Sequence, residues 1–329
     1  MSDVWAVQTS KRSTFPSLYK GNRYTNSKGT SLVHEISSQM AIQYPALPGE
    51  ITDAIIDYLH SDLRTLGICG RVCSEWLIRS RYHIFSTVQL WPWRVHRFFE
   101  LAKSQSCTFT HLIHRIEFDD SRAKEKMQDV RPSLRGNDHD GKVLLKEAMA
   151  QSHILCFAQV KCIQVKNVDW TALSPVQQEK LRGRLAKFSK LIRLEFRGVI
   201  FHDLREVIRI VGSFPSLRQL SAHISFLKYL EFNIASALTT HMPPNVQTIE
   251  LGTDDGIPVI LSCLNGSKEK PHVSVLKLQN IKCNHLQYIS TALERFEPNL
   301  RHVSLGFAWE ALQTMPIGDC CLRSKVNWY

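Results

Sequence analysis

Residues 191–222 read LIRLEFRGVIFHDLREVIRIVGSFPSLRQLSA, and within them the period of the apolar residues changes twice. Leu191, Leu194 and Phe196 follow an h-x-x-h-x-h spacing whose last two apolar positions flank a polar residue, Glu195. Apolar residues two apart around a polar one suit a strand with one buried face. Leu204, Val207, Ile208 and Val211 then fall at i, i+3, i+4 and i+7, with Asp203 as a cap and Gly212 and Pro215 as stops. That pattern predicts an amphipathic helix. Leu217, Leu220 and Ala222 return to the strand spacing. A strand, a helix and a strand with short links give two parallel strands joined by a right-handed crossover.

Outward from this stretch the triplet recurs, eight times in all. The other sets are Phe85/Val88/Leu90, Ile113/Ile116/Phe118, Val160/Ile163/Val165, Val246/Ile249/Leu251, Val273/Leu276/Leu278 and Leu300/Val303/Leu305. The residue between the last two apolar positions is Gln89, Glu117, Gln164, Glu195, Ser221, Glu250, Lys277 or Ser304, polar in every unit. Asn284, then Leu286, Ile289, Leu293 and Phe296, then Pro298, repeat the helical part. The middle apolar residues step by 28, 47, 31, 26, 29, 27 and 27 positions. This spacing resembles that of leucine-rich β/α repeats with one insertion. The expected class is therefore α/β, with residues 85–309 forming a curved solenoid that carries a parallel sheet of about eight strands on one face and helices on the other.

One such unit cannot bury its apolar face alone, so stability comes from its neighbours and the ends need caps. The long step contains an expected exposed loop over 119–142, which holds six basic and six acidic side chains with Pro132, Gly136 and Gly141. Residues 310–329, with Leu312 and the Cys320–Cys321 pair, bring no further strand and read as a tail or a cap.

At 329 residues and 43% apolar content the chain holds a sizeable core and suggests two domains. It has no run of about 18 apolar residues and no signal-type apolar stretch at its start, which argues against a membrane span and secretion. Its nine scattered cysteines, an odd number, suit a reducing compartment. A cytoplasmic or nuclear protein is expected. Residues 1–44 are rich in Ser, Thr, Asn, Gln and Lys and read as a disordered tail.

A net charge of +11 raises nucleic acid as a partner. On the expected sheet face, however, Arg115, Lys166, Arg193, Arg197 and Lys277 stand against Glu117, Asp119, Glu195 and Glu250, which is not a phosphate track. The excess sits in Lys180, Arg182, Arg184, Lys187 and Lys190, and a charge run on a helix is usually a solvated face.

Residues 47–85 read LPGEITDAIIDYLHSDLRTLGICGRVCSEWLIRSRYHIF. Pro48 suits a first helical turn, where its missing N–H is not needed. Ile51, Ile55, Ile56 and Leu59 form an apolar stripe, Asp62 caps a second short helix with Leu63 and Leu66, and Val72, Cys73, Trp76 and Leu77 stripe a third. Three short helices make a marginal core, and several apolar residues are surplus to it.

This segment, residues 45–84, resembles the F-box in its Leu-Pro-x-Glu start, its apolar helix, its Asp-Leu and its Val-Cys-x-x-Trp. The matching residues are Leu47, Pro48 and Glu50, the isoleucine stripe, Asp62 and Leu63, and Val72, Cys73 and Trp76. Arg71 and Glu75 depart from the usual pattern, where apolar and basic or small residues are frequent. Followed by the repeats, the arrangement resembles the F-box proteins with divergent leucine-rich repeats abundant in mushroom-forming fungi. The resemblance implies a non-catalytic substrate receptor of an SCF-type ubiquitin ligase, docked on a Skp-type adaptor that links it to cullin and RING subunits. The adaptor-binding set it implies is Leu47, Pro48, Ile51, Ile55, Leu66, Val72, Cys73 and Trp76. The alternative is a repeat-based scaffold that binds the adaptor without ligase assembly.

For a protein substrate, the first candidates are Arg193, Glu195, Arg197 and His223 on the central sheet face, with Gln164 and Glu250; the plain reading of each is a solvated strand residue. Cys69 and Cys73 at i, i+4 lack a second Cys or His pair nearby and read as small buried apolar residues rather than metal ligands. His111, His114 and the Asp138-His139-Asp140 run read as solvated. No Gly-rich phosphate loop, Gly-x-Ser-x-Gly elbow or His-Glu-x-x-His occurs, so no cofactor and no catalysis by this chain are expected.

Overall fold

A computed structural model describes residues 47–120, 157–227, 242–252, 256–266 and 271–309. The chain divides between Ile84 and Phe85 into two compact units. The expected tail over 1–44, most of the loop over 119–142, the Asp138-His139-Asp140 run and residues 310–329 lie outside the described residues.

The first unit holds three helices, α1 (Gly49–Tyr58), α2 (Leu63–Cys69) and α3 (Ser74–Ser86). Pro48 stands one residue before α1, and its carbonyl accepts from the N–H of Ile51 at 3.0 Å and of Thr52 at 3.2 Å. Asp62 caps α2 as expected, accepting from the N–H of Arg64 and of Thr65 at 3.1 and 3.0 Å. A polar clamp joins α1 to α3. The Arg79 guanidinium donates from Nε and Nη2 to the two oxygens of Asp57 at 2.6 and 2.5 Å, and His83 Nε2 lies 2.7 Å from the same carboxylate. The Arg79 hydrogen bonds, then that of His83, hold the Asp57 carboxyl well below the usual carboxylate range.

The second unit is α/β. Its strands are β1 (Thr87–Leu90), β2 (Arg115–Asp119), β3 (Cys162–Lys166), β4 (Arg193–Phe201), β5 (Gln219–Phe226), β6 (Thr248–Leu251), β7 (Val275–Ile281) and β8 (His302–Phe307). They form one open sheet, all parallel, in sequential order from β1 to β8. All eight strands expected from the triplets are present, and the triplets align in register: Val88 pairs with Ile116, Ile116 with Ile163, and so on through Leu194, Leu220, Ile249 and Leu276 to Val303.

Sequential order means that every connection steps one strand in the same direction. With crossovers of one hand, the described helices then fall on one face of the sheet. These are α4 (Pro92–Lys103), α5 (Pro175–Leu185), α6 (Leu204–Gly212), α7 (Gly256–Gly266) and α8 (Leu286–Phe296). Helix α5 packs against α6, α6 against α7, and α7 against α8. The core lies between helices and sheet, where Val88, Ile116, Ile163, Leu194, Leu220, Ile249 and Leu276 meet Val207, Ile208, Ile260 and Ile289. The opposite sheet face carries the alternate, polar residues.

Local chemistry explains the element ends. Asp203 caps α6 by accepting from the Glu206 N–H at 3.2 Å, as its position suggests. Asn284 does not cap α8: it lies inside a 3₁₀ turn, Cys283–His285, that leads into the helix, because the chain tightens there before α8 starts. Strand β4 runs on to Phe201 through Gly198, whose φ of +64° suits a glycine and shifts the pairing register between Arg197 and Val199. Phe201 then packs on the buried Trp170 at 5.6 Å between centroids.

Candidate functional site

Helix α1 has two apolar stripes. Thr52 and Ile56, four apart, are buried. Ile51, Ile55 and Tyr58 lie one turn apart on another face and are 50%, 41% and 86% exposed. Leu47 before the helix is exposed too. In α2 the same division holds: Leu66 and Cys69 are buried, while Leu63 and Ile68 face solvent. Val72, Leu77 and Ile78 add exposed apolar surface at the start of α3, with Trp76 half-buried among them.

Of the implied adaptor-binding residues, Leu47, Pro48, Ile51, Ile55, Val72 and Cys73 are therefore exposed and Trp76 partly so. Leu66 is the correction. It is fully buried, because its position in α2 turns it inward beside Cys69, so it supports the surface from beneath and presents nothing to a partner. Cys73 also differs from its reading as a small buried residue. Helix α2 ends at Cys69 and a turn intervenes, so the i, i+4 spacing does not place Cys69 and Cys73 on one face; Cys69 is buried and Cys73 exposed. Tyr58, Ile68 and Ile78 are exposed apolar residues that the motif did not single out. Their signal was available: each falls off the inward stripe of its helix.

The polar face of the sheet behaves differently from a solvated face. Glu117, Gln164 and Glu195, neighbours in register on β2, β3 and β4, are buried, with Gln164 only 1% exposed. Strands ~4.8 Å apart force the middle polar side chains into contact, and they interlock. Gln164 Nε2 donates to Glu195 Oε2 at 2.7 Å, and its carbonyl oxygen accepts from Arg115 Nη2 at 2.9 Å. Arg115 Nε donates to Glu117 Oε1 at 2.7 Å, while Gln89 and Lys166 each donate to Glu117 Oε2 at 3.1 Å. Burial pushes the Glu117 carboxyl up, but the hydrogen bonds from Lys166 and Arg115 outweigh it, and the group settles below its ordinary value. Gln164 and Glu195 are thus not plain solvated strand residues: they form the floor of this face.

Above that floor stand the cations. Arg193 and Arg197 flank Glu195 on β4, with side chains 48% and 57% exposed. Arg197 Nη2 lies 3.4 Å and Arg193 Nη1 4.0 Å from the Glu195 carboxylate. His223, beside Arg197 in register on β5, has Nε2 3.6 Å from Glu250. Its ring occupies the space above Gly252, where an added Cβ would sit 1.9 Å from Nδ1. Cys162, between Arg115 and Arg193 in register, has its thiol pushed by burial up to about 11.

Of the other residues weighed from sequence, His111 is exposed, whereas His114 is half-buried, its carbonyl accepting from the N–H of Lys161 and Cys162 at 2.8 and 3.1 Å. In the basic stretch, Arg182 pairs with Glu179 at 2.5 Å, and Lys187 and Lys190 lie beyond the end of α5. Among the described residues no helix is long and apolar enough to cross a membrane, and no group of three or more His, Cys, Asp or Glu comes together in a way that suits a metal ion. No family model matches this chain, and no curated protein matches its sequence.

Proposed function

We propose that residues 45–84 are an F-box that docks a Skp-type adaptor, and that the sheet unit is a leucine-rich-repeat-like solenoid presenting a protein substrate. The chain is then the receptor subunit of an SCF-type ubiquitin ligase. The observation that carries the reading is the pair of stripes on α1: Ile51, Ile55 and Tyr58 stay in water although Thr52 and Ile56 already supply the internal contact. Each exposed isoleucine that a partner covers gains about 1.5–3 kcal/mol, so leaving several uncovered is costly unless a second polypeptide takes them.

The eight in-register triplets and the single-sided helical layer support the repeat reading. The receptor contributes proximity: it holds a substrate lysine near a charged ubiquitin carrier and raises the effective concentration of the two. No side chain of this chain needs to transfer a proton in that scheme.

The test is co-purification of the full chain with the adaptor. Changing Leu47 and Pro48 together to Ala should cost on the order of 2–4 kcal/mol of binding, as expected for central anchors. Unchanged retention of the adaptor rejects the docking assignment. Cullin in the purified complex marks ligase assembly; its absence marks the scaffold alternative.

A further inference from the structure

The polar sheet face separates its charges by depth. The side chains of Glu117 and Glu195 are 9% and 8% exposed, whereas those of the neighbouring Arg193 and Arg197 are about half in solvent. What a partner meets is therefore mainly cationic, even though the formal charges nearly balance. The contacts to Glu195 at 3.4 and 4.0 Å are long, and Gln219 takes only Arg193 Nε. Most guanidinium N–H groups of Arg193 and Arg197 thus have no protein acceptor among the described residues, and such planar donor sets suit carboxylate or phosphate.

A second observation marks the same place. Ser221 follows Glu195 in register on β5; its residue is 9% exposed, and its Oγ makes no hydrogen bond in this structure. A hydroxyl enclosed on a polar face without a partner is costly, and a ligand group reaching the floor beside Arg193 and Arg197 relieves it. Lys166 flanks Arg197 in register on β3 and extends the cationic row to a second strand, while the His223 ring borders Arg197 on β5.

We propose that the face over β3–β5 binds an extended acidic peptide segment, with Arg193 and Arg197 taking its anionic side chains and Ser221 one of its oxygens. This names the substrate class for the receptor reading and rests on that reading for its biological role. The binding itself does not depend on the adaptor.

The experiment uses the full chain and fluorescence anisotropy at about 150 mM salt, where long-range attraction is screened. The probes are a labelled peptide of alternating Glu and Ser, about twelve residues long and so able to cross the whole sheet, its Gln-for-Glu counterpart, and a single-stranded RNA of matching extent. The acidic peptide should bind and its Gln counterpart should not. Arg193→Glu with Arg197→Glu should weaken binding at least ~tenfold, as for central charge pairs. Arg193→Gln with Arg197→Gln, which avoids added repulsion, should also weaken it while leaving the circular dichroism unchanged.

Lys180→Glu with Lys187→Glu imposes the same charge change on exposed positions outside the sheet and should alter affinity less than ~twofold. Equal losses from the lysine and arginine pairs, equal binding of the Gln peptide, displacement of the acidic peptide by the RNA, or no peptide binding at all each overturns the proposal. Adaptor co-purification is measured on the same samples. Adaptor retained with peptide lost removes only this inference, and the reverse removes only the docking assignment.

Discussion

The two units of this chain treat apolar side chains in opposite ways. Among the described residues, the helical unit buries three hydrophobic side chains, Ile56, Leu66 and Cys69, and exposes nine large ones from Leu47 to Ile78. The sheet unit buries a core running from Val88 to Phe296 and, of its described large hydrophobic residues, exposes only Leu101, Val176, Leu227 and Trp309. The difference teaches where each unit draws its stability. The sheet unit meets its need by stacking one strand and helix on the next. The helical unit has few buried side chains, joins Asp57 to Arg79 and His83 by polar contacts, and leaves most of its apolar residues in solvent.

The largest effect should come from the core of the sheet unit. Phe196 is 1% exposed and packs edge-on against Phe201 at 5.4 Å. Phe196→Ala should cost about 3–5 kcal/mol in urea unfolding of that unit. Ile51→Asp with Ile55→Asp should do the reverse, abolishing adaptor retention at a cost of about 2–4 kcal/mol of binding while leaving the unfolding curve in place. A lowered unfolding midpoint in that double variant breaks the contrast between the units.

Next comes the floor of the polar face. Glu195→Leu removes the acceptor of Gln164 and leaves Arg115 short of a partner; it should cost about 2 kcal/mol. A neutral result would show that water replaces the carboxylate there.

The clamp of the helical unit gives a smaller effect with a definite pH sign. The folded Asp57 carboxyl titrates below its unfolded value, so its contribution is complete above the unfolded value of about 4 and is lost as the pH falls through the folded one. Amide exchange over residues 49–58 should therefore speed up as the solution is acidified below about pH 4, beyond the intrinsic change. In Asp57→Asn that acid-dependent part should vanish. The smallest perturbation is chemical: exposed Cys73 should alkylate quickly and be protected by bound adaptor. Buried Cys263, its thiol pushed by burial up to about 12, should stay slow in both states.

Much of this architecture was readable from apolar spacing alone. The triplets located all eight strands because a period of two is hard to produce by other means, and Asp62 and Asp203 marked two helix starts through their short side chains. Less legible was the inside of the polar face. Alternation says which way Glu117, Gln164 and Glu195 point, but not that neighbouring strands bring Gln89 and Lys166 onto Glu117, Arg115 onto Gln164, and Gln164 onto Glu195. Register is a tertiary fact, and it decides between a solvated residue and a buried one. In the helical unit the motif named Leu66 as a contact residue, yet only the three-dimensional turn of α2 shows that it faces inward. Gly252 is a similar case: the space it leaves for the His223 ring has no local signature.

The sheet's unbroken sequential order has a metrical consequence. Eight strands set ~4.8 Å apart make a graduated bar roughly 34 Å long, whereas an extended polypeptide laid across it advances ~3.4 Å per residue. Like the two scales of a vernier, these pitches coincide only about every five strands, or seven residues of ligand. A visitor crossing this bar meets well-matched marks at wide intervals, and its length rather than its local detail sets how many it can engage at once.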